Sequence, residues 1–149
     1  MPIFSEGARG RNPPATNSEL IGDNVIDAFV DHEIRARSLR GAIFDYSIIN
    51  DSSWPIVLRL FQGHLRGEKM RIKELYVDSA LPQTTVLRYV DHLEKCEVVR
   101  RDDDPSDSRV TLVSLTRSAA LWLREYYSQN IEAERRLAEA SQGIFSVPH

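Results

Sequence analysis

Apolar residues recur along most of this chain at helical intervals, and one segment breaks the rhythm. Ile21, Val25, Ala28 and Phe29 lead at that spacing toward Leu39 and Ile43, and Thr16-Asn17-Ser18-Glu19 ahead of them has the spacing of a capping box, which predicts a long first helix. Ser53-Trp54-Pro55 supplies a capping hydroxyl and an early proline for a second helix. Its inward face is Val57, Leu58, Phe61 and Leu65, and Gly67 is its stop. Residues 68–79 read as a stub strand and then a short third helix with Leu75 inward. Pro82 suits the first turn of a fourth helix, in which Val86, Tyr89, Val90 and Leu93 fall on one side. The pattern then turns β-branched: residues 98–101 and 109–115 flank the turn-prone DDDPSDS and pair naturally as a hairpin. Thr116 caps a last helix whose face is Ala120, Leu123, Tyr127 and Ile131, fading near Gly143. The expected fold class is mainly α with a small antiparallel β-sheet.

Composition narrows the picture by exclusion. At 149 residues the chain can bury one real core. It has no apolar run near the roughly 20 residues of a membrane-spanning helix, and no secretory leader pattern, so a soluble protein with a cytoplasmic address and no membrane partner is expected. The first 15 residues, with Gly, Arg, Asn and Pro-Pro, have little to bury and read as a flexible arm. A single cysteine, Cys96, and four scattered histidines exclude an internal disulfide and a structural zinc scaffold. The net charge of −3 argues against nonspecific coating of nucleic acid. Its distribution says more: residues 59–101 carry nine basic and six acidic side chains, whereas residues 19–45 carry three and six.

The densest chemistry lies in RRDDDPSDSRVTLVSLT, residues 100–116. A calcium loop beginning at Asp102 would use Asp104 and Ser106 next, but its sixth position is Asp107 instead of glycine and its twelfth is Val113 instead of glutamate. No metal and no cofactor is expected. A polar hairpin tip accounts for Asp, Pro and Ser without any ligand. Arg109 is different. Two residues apart on an extended strand, Asp107 and Arg109 project to one side, where the carboxylate can fix the guanidinium. Such a cation, beside a DNA-reading helix, could enter a narrow minor groove; exposed arginines are more often only solvated charges.

The segment before the hairpin bears on that choice. A short helix around Leu75, a tight turn at Asp78-Ser79-Ala80 and a helix opened by Pro82 match a helix-turn-helix, whose second helix lies in the major groove. With the apolar face inward, Gln83, Thr84, Thr85 and Arg88 point out. Gln and Arg can bond adenine and guanine edges in pairs, and threonine can meet a phosphate or a thymine methyl. A plain solvated helix face would use the same residues.

In this order IKELYVDSALPQTTVLRYVDHLEKCEVVRRDDDPSDSRVTLVSLT, residues 72–116, resembles the winged helix-turn-helix core of the MarR family of transcriptional regulators. The likeness is carried by Thr85-Val86 and Arg88 ahead of Val90-Asp91-His92-Leu93-Glu94, by the Val99-Arg100 step into the wing, and by Asp107-x-Arg109 followed by Leu115-Thr116. The resemblance implies a homodimeric DNA-binding repressor or activator acting on double-stranded DNA. A dimerisation helix and linker (16–52) would precede the winged helix-turn-helix (53–116), and a second dimerisation helix with a tail (117–149) would follow. It also implies recognition by Gln83, Thr84, Thr85 and Arg88, wing reading by Arg109 with Asp107 in support, and a small-molecule effector held between the two parts. Two departures stand out. Lys95-Cys96-Glu97 replaces the family's glycine at the end of the reading helix, so the exit must take another form. That helix is also poor in cations, which leaves Lys69, Arg71, Lys73, Arg100 and Arg101 as candidate phosphate contacts. Cys96 fits packing better than oxidation sensing.

Two other functional classes compete with this one. A winged-helix module that binds protein through its acidic wing needs no specific DNA. An enzyme is not expected, because His32, His64 and His92 sit on separate helices and no phosphate loop or serine elbow occurs.

Overall fold

The computed structural model describes residues 21–145, the side chains of 143–145 excepted. The arm (1–15) and the Thr16–Glu19 capping spacing lie outside them. The elements run α1 (Asp23–Ile43), α2 (Trp54–Leu65), β1 (Met70–Arg71), α3 (Ile72–Ser79), α4 (Gln83–Lys95), β2 (Val99–Asp104), β3 (Asp107–Leu115) and α5 (Arg117–Phe145). The sheet is antiparallel, ordered β1-β3-β2. The fold is therefore mainly α with a small sheet, a winged helix-turn-helix between a long first and a long last helix.

One core unites these elements. Val86, Val90 and Leu93 of α4 are buried against Leu75 of α3, Ile56, Val57 and Leu60 of α2, Val113 of the central strand and Leu123 of α5. Tyr89 is only half-buried. α2 turns a different face inward from the expected one: Ile56 and Leu60 are buried with Val57 and Phe61, whereas Leu58 is half-buried and Leu65 exposed. On α1 only Val25 is buried; Phe29 on the helix and Ile21 ahead of it stay exposed.

Chain turns are settled by local hydrogen bonds. Ser53 does not cap α2; Asn50 Oδ1 accepts from the amides of Ser52 and Ser53, both at 2.9 Å, and Ser53 Oγ lies against the Asn50 backbone. The Ser53 hydroxyl is taken up in that upstream turn, and the Ile56 amide it would have capped donates to Ser53 O at 3.1 Å instead. At the other end Gly67 (φ 71°) stops α2, with Glu68 N–H donating to Gly63 O and Gly67 N–H to His64 O, a Schellman closure. The turn between the two helices of the helix-turn-helix begins later than expected, with Asp78 and Ser79 still helical and Ala80 left-handed at φ 55°. Thr116 caps α5 as expected, accepting from Ala119 N–H at 3.3 Å while its hydroxyl donates to Glu97 O at 2.7 Å.

The exit from α4 keeps the ordinary closure, where the missing glycine pointed to another form. Glu97 itself adopts φ 59°, and the same closure forms without glycine: Val98 N–H donates to Leu93 O at 2.9 Å and Glu97 N–H to Glu94 O at 3.0 Å. A left-handed non-glycine residue costs about 1–2 kcal/mol, partly offset by the entropy a glycine would lose. Glu97→Gly is thus expected to stabilise the fold by about 1 kcal/mol, seen as a raised urea midpoint with an unchanged slope.

Candidate nucleic-acid interface

The outward row of α4 begins with Gln83 and Thr84, which are exposed, then Thr85, half-buried, then exposed Arg88. No side chain caps the start of this helix at Pro82, so its first amides remain available to a phosphate oxygen. The Arg88 guanidinium rests 5.8 Å from the centre of the Tyr89 ring, which steadies the cation without neutralising it.

Thr84, Arg88 and Asp91 stand at i, i+4 and i+7, one side of the helix. Asp91 accepts from Arg101 of β2, whose Nε and backbone N–H also donate to Glu94 at 3.3 and 3.2 Å. The wing is thereby fastened along the side of α4 that carries Thr84 and Arg88. These bonds, the one to Asp91 foremost, raise the Arg101 pKa further above its ordinary value. The expectation of Arg101 as a phosphate contact meets a competing fact: its charge is engaged by two carboxylates and its side chain is partly buried.

The wing tip differs from a seven-residue loop. Asp102, Asp103 and Asp104 belong to β2 and Asp107 to β3, leaving only Pro105 and Ser106 as the turn. Asp104 Oδ1 accepts from the Ser106 amide at 2.9 Å and hydroxyl at 2.7 Å, a side-chain turn that explains why strand pairing reaches so far. The register slips there, from Asp103 opposite Thr111 to Asp104 opposite Asp107, so Ser108, Arg109 and Val110 face no residue of β2. Arg109 projects from this bulge. Its Nε and Nη2 donate to the two oxygens of Asp107 at 3.0 and 3.2 Å, its backbone N–H donates to Asp107 at 3.1 Å, and its side chain is 89 % exposed. Those bonds to Arg109 hold the Asp107 carboxyl below its ordinary value.

The remaining candidate cations have different surroundings. Lys69 Nζ lies 3.3 Å and Arg100 Nη2 3.4 Å from opposite oxygens of Asp102, and the Lys69 bond first, with Arg100 behind it, lowers the Asp102 pKa. Arg71 is exposed near Asp104 and Asp107. Lys73 is exposed and makes no ion pair among the described residues. Among those residues no group of acidic, histidine or cysteine side chains could hold a metal, and no helix is long and apolar enough to cross a membrane.

A cavity of about 660 Å³, which the spacing of apolar residues does not reveal, lies between α2, α3 and α5. Leu58, Phe61, Leu65, Leu75, Tyr127 and Ile131 form its apolar wall, and Arg59, Asp78, Gln62 and Arg124 its polar part. Arg59 Nε donates to Asp78 at 2.7 Å, joining α2 to the last turn of α3. Burial, then the neighbouring Tyr126, pushes the Tyr127 phenol above its usual pKa. The available signal was a surplus: Leu65 and Ile131, placed inward by periodicity, are exposed because they line this cavity and not the core.

No family model and no curated protein matches the sequence. Solved structures do. A mutant MepR from a multidrug-resistant S. aureus clinical isolate superposes with a TM-score of 0.61 at 17% identity, over 80% of this chain and 84% of that one. NadR in complex with 4-hydroxyphenylacetate gives 0.57 at 17%, over 87% and 84%. Sco3205, a MarR family transcriptional regulator from Streptomyces coelicolor in complex with DNA, gives 0.52 at 22%, over 86% and 78%. At these identities the shared property is the fold, a MarR-like winged helix.

Proposed function

We propose that this chain is a sequence-specific DNA-binding transcriptional regulator of the MarR type, acting in the cytoplasm as a homodimer on a palindromic operator, where it represses. Gln83, Thr84, Thr85 and Arg88 read the major groove, and Arg109, steadied by Asp107, reads the adjoining minor groove. The observation that supports this best is the Arg101 clamp, which fastens the wing along the exposed row of α4. A structural neighbour solved with DNA adds to it. The test is selection of genomic fragments by the purified protein: enrichment of an inverted repeat with half-sites about one helical turn apart is expected, and recovery of no common sequence would remove the proposal.

The dimer is supported by apolar side chains left uncovered on the long helices. Ile26, Val30 and Ile34 of α1 are exposed at i, i+4 and i+8, and α5 exposes Leu121 and Trp122. A second copy of the chain covers them in this reading. Val30→Asp, which would bury an unpaired carboxylate there, is expected to weaken the dimer by more than about tenfold in sedimentation velocity while leaving the monomer folded. A small, largely apolar ligand suits the cavity and releases the regulator from DNA; the structural neighbour NadR was solved with 4-hydroxyphenylacetate.

One observation favours a second reading, a winged-helix module that binds protein: Lys69, Arg100 and Arg101 all sit on carboxylates. Capture of a partner protein together with DNA binding that lacks steep salt dependence would select it.

A further inference from the structure

The outer face of the wing sheet carries a charge arrangement that a phosphate-binding surface does not require. Register places Arg71, Leu112 and Asp102 side by side across the three strands, and Arg100, two residues from Asp102, shares their face. Lys69 enters from the residue before β1 and reaches the same carboxylate across the central strand. A single side chain therefore gathers cations from both edges of the sheet. Each contact is a long one, at 3.3 and 3.4 Å, between groups that water also reaches, so exchange for another anion costs little.

We infer that Asp102 is a built-in competitor for DNA phosphate, withholding Lys69 and Arg100 from the duplex backbone and thereby lowering the affinity for duplex. The inference rests on the DNA-binding reading. Phosphate approaching this face must take the two cations from a carboxylate that also repels it. The number of cations free to displace DNA counterions is then smaller than the sequence suggests. Asp102 is a tuning residue: it sets how much of the binding free energy comes from sequence-independent charge and how much from Arg88 and Arg109.

Asp103 supplies an internal control. It lies next along β2 on the opposite face, is exposed, and makes no ion pair among the described residues, so Asp103→Asn changes the net charge equally without releasing a cation. The experiment is a fluorescence-anisotropy titration of full-length wild type, Asp102→Asn, Asp102→Ser and Asp103→Asn with a labelled duplex of random sequence over a salt series. Both Asp102 variants are expected to bind about three- to tenfold tighter at low salt. Their log–log salt slope should steepen by about 0.9 to 1.8 per protomer, one step for each released cation, while Asp103→Asn keeps the wild-type slope. Equal gains for the Asp102 and Asp103 variants, or weaker binding by both Asp102 variants, would overturn the inference and leave the DNA-binding reading standing. If no form of the protein binds duplex, the DNA-binding reading falls and this inference falls with it.

Discussion

Leu93→Ala is expected to cost about 2–5 kcal/mol of folding free energy, a large share of what holds a domain of this size together. Leu93 is fully buried on the inner side of α4, in the core shared with α2, α3, the sheet and α5. Its carbonyl also accepts the Val98 amide that closes the helix exit, so the side chain packs at the point where α4 hands over to the wing. Removing it leaves a cavity that the surrounding α2 and α5 cannot collapse without moving the sheet. Urea unfolding followed by far-UV circular dichroism measures the loss. A change under about 0.5 kcal/mol would mean that α4 is not seated on this core.

Arg109→Ala and Arg88→Ala are each expected to weaken operator binding by about 1 to 3 kcal/mol, roughly five- to 150-fold, with the fold and the dimer unchanged. Both side chains are exposed, and neither packs in the core, so thermal unfolding should not register their loss. The two should differ in kind. Arg88→Ala on α4 would relax discrimination at one base position, whereas Arg109→Ala on the bulge would lose preference for narrow-groove sequence beside it. Asp107→Asn should weaken binding less than Arg109→Ala, because it frees the guanidinium without removing it. The Asp107–Arg109 pair also has a defined pH response. Its carboxyl is held below the ordinary 3.8, so the pair's contribution is present above that value and is lost only as pH falls through the lower folded one. DNA affinity should therefore show no step from this pair across the neutral range.

Much of this architecture is written in local patterns, and the residues that escaped show what those patterns omit. The fourth helix was legible because Val86, Val90 and Leu93 repeat at helical spacing and every one is buried. The Asp107–Arg109 fork followed from a two-residue spacing on an extended strand. Competition among neighbours was not legible: the Ser53 hydroxyl turns back to the Asn50 backbone instead of capping α2, and Asp104 tightens the acidic loop to two residues. Long-range charge pairing was equally hidden, since Arg101 meets Asp91 and Lys69 meets Asp102 only after the sheet has formed. The cavity defeated periodicity for a related reason. A helical repeat marks a side chain as apolar and places it on a face, but the packing of α2, α3 and α5 decides whether that face meets a core or a void.

In the proposed complex the α4 row and Arg109 enter neighbouring grooves of one duplex. Dimethyl sulfate reports both at once, since it methylates guanine N7 in the major groove and adenine N3 in the minor groove. On the selected operator, protection of guanine N7 in each half-site should be flanked by protection of adenine N3, and Arg109→Ala should abolish only the adenine signal. Adenine N3 protection that persists in Arg109→Ala, or an operator protected in neither groove, would contradict it.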